Sequence, residues 1–165
     1  MISDKKEWIQ QLLDCCRFVP DFGSLNLIKH AKNSFDKYLF LLEMVEGNEG
    51  PEIVRALIDS IQIQSDSGAY LVTVDTLKKF LKPGYARAFI DPLARLTFRR
   101  PDLASDLLFN MANYFTEEQR IFVDEFNDEL RRSHSGATTQ LINFIKSEEK
   151  KSFFSDFAGV LAKRG

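Results

Sequence analysis

Tyr70-Leu71-Val72-Thr73-Val74 is the stretch on which the fold turns. Its β-branched and aromatic residues, taken alone, read as a strand. A strand needs partners, because an isolated or merely paired strand is marginal in water. No second convincing strand pattern occurs in the chain. The segment is therefore expected to be helical, from Ala69 through Leu77, Phe80 and Leu81 to a stop at Pro83-Gly84. If it is helical, the chain is all-α; if it is a strand, a solenoid of helices fails first.

The segments on either side share a start. Pro51-Glu52-Ile53-Val54 and Pro101-Asp102-Leu103-Ala104 each place Pro, acid and an aliphatic residue in the same order. Proline presets φ where the first turn needs no donor, and the acid faces the positive end of the helix dipole. Pro51 to Gln62 is expected to bury Ile53, Val54, Leu57, Ile58 and Ile61. Pro101 onward should bury Leu103, Leu107, Leu108, Met111 and Tyr114. Between them, Tyr85 to Phe98 contains Asp91-Pro92. An internal proline removes one helix bond and clashes with the preceding turn, at about 3 kcal/mol. Either that helix kinks, or Asp91 caps a fresh one with Pro92 at its first position.

Thr116-Glu117-Glu118-Gln119 is the clearest local signal, a capping box. Its helix should turn Phe122, Val123, Phe126 and Leu130 inward and end at Arg131-Arg132, which complement the negative helix end. After a turn at Ser133-His134-Ser135-Gly136, Thr138 to Glu149 is expected to pack Leu141, Ile142 and Ile145. Ser152 to Ala162 would form a last helix on Phe153, Phe154, Phe157, Val160 and Leu161.

At the other end, Ser3 to Phe18 reads as a helix with Asp4 as its cap. Trp8, Ile9, Leu12, Leu13, Cys16 and Val19 lie on one broad face, with Pro20 and Gly23 as the stop. Ser24 to Lys32 is a shorter helix. Ser34 then caps another, apolar over much of its circumference at Phe35, Tyr38, Leu39, Leu41, Leu42 and Val45, and so expected near the core's centre. Gly47 to Gly50 is a loop. The sum is a single all-helical domain over residues 1–165. It would be an array of about eight short antiparallel helices, either a HEAT- or armadillo-like α-solenoid or a compact helical bundle.

Composition narrows the function classes. Apolar residues make up 44% and charged residues 28% of 165, ordinary for a globular protein with a real core. The 15 phenylalanines fit that core better than an exposed aromatic patch. A net charge of -2 favours neither nucleic acid nor acidic membranes. The longest apolar run, Tyr38 to Leu42, is far short of a membrane span, and no secretion-signal core follows Met1. Cys15 and Cys16 are adjacent and have no other Cys to pair with, which points to a reducing, cytoplasmic setting. Both fall late in their helix, where the dipole disfavours a thiolate; Cys16 is expected in the core and Cys15 partly exposed.

No residue set motivates a reaction. His30 and His134 stand apart, and no His, Cys or carboxylate spacing matches a metal site. No glycine-rich phosphate loop occurs. No catalytic residue, cofactor or metal is expected. Charge is segregated, however. Lys78, Lys79, Lys82, Arg87, Arg95, Arg99 and Arg100 face one acid, Asp91, in a stretch interleaved with Phe80, Tyr85, Phe89 and Phe98. A groove for single-stranded nucleic acid combines such bases with stacking aromatics, but most of these aromatics fall on the expected core face. Glu117, Glu118, Asp124, Glu125, Asp128 and Glu129 face one base, Arg120. These six form the candidate partner-binding face; the plainer reading is a solvated helix surface complementary to the basic stretch.

Glu49-Gly50-Pro51-Glu52-Ile53-Val54-Arg55-Ala56-Leu57-Ile58, the Asp91-Pro92 break and Pro101 to Leu108 give the chain its family texture. It resembles the HEAT-like immunity proteins of bacterial polymorphic toxin systems, and also short HEAT or armadillo modules. The resemblance implies a non-enzymatic cytoplasmic protein that binds a cognate toxin and covers its active surface. An acidic face would suit a basic toxin domain. A helical scaffold or adaptor is the alternative, and a nucleic-acid binder using residues 78–100 stands third.

Overall fold

In the computed structural model the chain is all-α, with eight helices and no strand among the described residues. Those residues are 2–16, 28–61, 68–113, 115–151 and 159–162, with side chains in the second helix taken from residue 32 onward. The helices are α1 Lys5–Cys16, α2 Ile28–Glu43, α3 Pro51–Asp59, α4 Ala69–Lys78, α5 Ala86–Arg99, α6 Pro101–Ala112, α7 Glu117–Arg132 and α8 Gly136–Glu148. None is long and apolar enough to cross a membrane. Contacts divide the chain into two compact units, Met1–Phe80 and Leu81–Gly165.

In the first unit α1 packs on α2 and α3, and α4 on α2 and α3, so the four helices close a ring. The strand-like stretch lies in α4 and is helical. The two threonine hydroxyls of α4 turn back on the helix and so are satisfied without a partner strand. Thr73 Oγ1 donates to Ala69 O at 2.7 Å and Thr76 Oγ1 to Val72 O at 2.8 Å. Thr73 also meets the buried Tyr38 hydroxyl at 2.7 Å, and Tyr38 meets Ser60 at 2.8 Å. That buried polar cluster ties α2 to α4 and the end of α3.

The expected break at Ser34 does not exist, since α2 runs through it. Neither Gly nor Pro interrupts that segment, and a serine inside a helix costs only a few tenths of a kcal/mol against alanine, about. Residues 17–27, with the Pro20 and Gly23 stop, lie outside the described residues, as does the side chain of His30. Cys15 is buried, not partly exposed. It stands seven residues after Trp8, on the face that also buries Leu12 and Cys16. Burial pushes its thiol above the usual range, with Lys37 pulling weakly the other way and Asp14 adding to the rise.

The turn from α2 to α3 needs its glycine. Gly47 has φ +95, and a Cβ there would lie 2.7 Å from the backbone oxygen of Lys79. The buried Glu49 carboxylate accepts from the Glu46 and Gly47 amides, and Lys79 Nζ donates to Val45 O at 2.7 Å.

In the second unit α5 is the central helix, packed on α6, α7 and α8. It passes through Pro92 unbroken, so Asp91 caps no fresh helix. The lost bond and clash cost about 3 kcal/mol. Phe89, Ile90, Leu93 and Leu96 are all buried, at roughly 1.5–3 kcal/mol each, which outweighs that cost. Phe89 meets Phe122 of α7 edge-to-face at 5.1 Å, and Phe122 stacks with Phe126 at 6.3 Å. Residues 159–162 form turns where the last helix was expected, while 152–158 lie outside the described residues. Gly159 takes φ +78, and its amide donates to Glu149 Oε1 at 2.8 Å.

Candidate functional site

The capping box forms as read. Thr116 Oγ1 accepts from Gln119 N at 3.2 Å, and Gln119 Oε1 accepts from Thr116 N at 3.2 Å and Phe115 N at 2.9 Å. This fixes the first turn of α7 and the residue before it. Phe122, Val123, Phe126, Asn127 and Leu130 then seat the helix on the core.

At about 100° per residue, the six acids separate into two stripes. Glu117, Asp124 and Asp128 share one line, opposite the buried face. Glu118, Glu125 and Glu129 share a second, about 100° around the helix. The second stripe turns toward the start of α5. Glu125 Oε2 accepts from the Gly84 amide at 2.7 Å, and Glu129 Oε2 from Arg87 at 2.9 Å. The Glu129 bond holds the Arg87 guanidinium above its ordinary pKa. Gly84, Ala86, Arg87, Glu125, Asp128, Glu129 and Arg132 line a shallow cleft of about 350 Å³.

The outer stripe is knitted to arginines of its own helix. Arg120 pairs with Glu117 at 2.5 Å and with Asp124 at 2.8 Å; Arg131 pairs with Asp128, and Arg132 reaches the same carboxylate at 3.7 Å. Hydrogen bonding from Arg120 lowers the Glu117 pKa. Six acids against three arginines leave α7 net negative. Exposed pairs of this kind contribute little, so a partner's cations can compete for the same carboxylates.

Phe115, 84% exposed beside these acids, was not picked out by sequence reasoning. The signal was available. A residue just before a cap packs against the fourth helical position when both are apolar. That fourth position is Arg120, so Phe115 has no staple partner and stays in solvent.

The basic stretch is arranged differently from a nucleic-acid groove. Phe80 and Phe89 are fully buried, leaving Phe98 exposed and Tyr85 half-buried under Lys82 at 5.8 Å. Lys78 pairs with Asp75, Arg87 with Glu129 and Arg100 with Asp102. His134 is exposed in the turn before α8. Among the described residues no three His, Cys, Asp or Glu side chains converge as metal ligands do. Comparison with protein-family models, curated proteins and solved structures returns no match for this chain.

Proposed function

We propose that this chain is a non-enzymatic protein-binding module. It captures a basic protein on the outer edge of α7, and its role is that of an immunity protein neutralising a toxin domain in the cytoplasm. The observation that carries the reading is the stripe Glu117, Asp124 and Asp128, set opposite the core of a firmly capped helix beside the exposed Phe115. Phe115 stands at one end of the stripe, two residues before Glu117, and an exposed aromatic bordered by polar groups is a common interface anchor. With six acids to three arginines α7 as a whole is net negative, which speeds encounter with a basic partner and orients it. The HEAT-like texture of Pro51 to Leu108 agrees with a helical binding scaffold. The plainer alternative is an adaptor that binds without inhibiting.

Growth rescue separates the two. The gene beside this one is expressed alone and then together with this chain. An immunity protein relieves a growth arrest caused by the neighbour, and Phe115→Ala combined with Asp124→Lys weakens the relief. A captured neighbour that causes no arrest replaces inhibition with the adaptor reading. Full relief by the double variant removes α7 as the site.

A further inference from the structure

We infer that the first unit carries a second docking groove, between α1 and the end of α2, that takes a basic amphipathic peptide segment. Ile2, Trp8, Leu41 and Met44 floor a cavity of about 220 Å³, enough for one or two side chains. Phe40 stands over it 61% exposed, although its neighbours Leu41 and Leu42 are buried. The rim is acidic. Asp4 and Glu7 line it, and among the described residues no Lys, Arg or His does.

Among the described residues three bases lie nearby. Lys5 is drawn to Glu52 of α3 at 2.7 Å. Lys6 falls on roughly the opposite side of α1 from Trp8, two residues or about 200° away. Lys37 lies one turn earlier on α2, where its charge reaches Cys15 at the other end of α1. The start of α1 contributes about half a positive charge, less than two carboxylates contribute in the other sense. Asp4 accepts from the Glu7 amide and Glu7 from Gln11 Nε2, so both carboxylates are held at the groove's edge. An apolar floor under an acidic rim is complementary to a helix with an apolar stripe flanked by lysines. An acidic or uniformly polar segment is repelled or gains nothing.

Trp8 is the chain's single tryptophan, its Nε1 donating to Leu41 O at 3.1 Å, so its emission reports the groove directly. The full chain is titrated with synthetic helical peptides of about 15 residues. One carries a leucine stripe flanked by lysines, one the same stripe flanked by glutamates, and one lysines with serines in place of leucine. The lysine–leucine peptide should change Trp8 emission saturably, and the other two should not. Phe40→Ala should weaken binding about tenfold, as loss of an aromatic anchor does, and Glu7→Lys should weaken it while improving the glutamate peptide. Both positions are exposed, so unchanged circular dichroism confirms that each variant is folded. No saturable response to the lysine–leucine peptide overturns the inference. Equal binding of the glutamate peptide does so too, as does full affinity in Phe40→Ala. A response to neutral lipid vesicles without one to peptide assigns the groove to a lipid surface instead.

Discussion

Lys151→Met is expected to destabilise the protein more than Glu148→Gln, although the two residues form one ion pair. Glu148 is the buried partner, with 4% of its side chain exposed against 55% for Lys151. Its carboxylate accepts from Ser105 Oγ at 2.6 Å and from Lys151 Nζ at 2.7 Å to each oxygen. Removing the lysine leaves a buried carboxylate held by one hydroxyl. Stranding a fully buried charge costs about 3–5 kcal/mol. Here the vacated side is half open to water, which brings the figure to about 2–3 kcal/mol. Glutamine at 148 still accepts from Ser105, and the lysine swings into solvent, so that loss is about 1 kcal/mol. Urea unfolding followed by circular dichroism reads the difference. With a slope of about 2 kcal/mol/M, the midpoint should fall by about 1–1.5 M for Lys151→Met and about 0.5 M for Glu148→Gln. The double variant should sit close to Glu148→Gln alone, because the stranded charge is gone. A milder Lys151→Met, or strictly additive losses, refutes the reasoning.

Three further outcomes are expected. Gly47→Ala combines a left-handed backbone with a 2.7 Å approach to Lys79 O and should cost about 1–3 kcal/mol, read as a lower thermal midpoint. Thr116→Ala removes one half of the capping box and should cost about 1 kcal/mol, while Thr116→Ser recovers most of it in the same unfolding assay. The Lys5 hydrogen bond lowers the folded pKa of Glu52, and the Arg100 bond lowers that of Asp102. Folded carboxylates with lowered pKa bind protons less readily than unfolded ones, so their contribution is present above the ordinary carboxylate pKa. It is lost as pH falls through the lowered folded values. The urea midpoint should therefore drop between about pH 5 and about pH 3, less steeply in Glu52→Gln; a midpoint that rises on acidification contradicts the sign.

Local chemistry made much of the fold legible in the sequence. Pro51 and Pro101 open helices, Thr116 and Gln119 close a capping box, and the inward residues of α3 and α7 are the ones their spacing selects. The all-α reading of Tyr70 to Val74 followed from the lack of a partner strand, and in α4 the Thr73 and Thr76 hydroxyls find their acceptors within the helix. Where tertiary packing outweighs local preference, the sequence misleads. Ser34 resembles a cap but lies inside α2, and of the two readings left open at Asp91-Pro92 it is the helix running through the proline that α5 takes. The candidate face was legible as six acids, yet its division into two stripes depends on where the start of α5 lies. Only the fold brings Gly84 and Arg87 against Glu125 and Glu129, leaving Glu117, Asp124 and Asp128 outward.

The central proposal is that this outer stripe captures a basic protein, and charge reversal tests it most directly. The full chain and its Asp124→Lys/Asp128→Lys variant are immobilised and exposed to extract from the native cell, at about 20 mM and about 500 mM salt, with bound proteins quantified by mass. The account predicts a basic protein enriched on the original chain at low salt, released at high salt and absent from the variant. The same basic protein retained equally by both at low salt, or no basic protein on either, contradicts it.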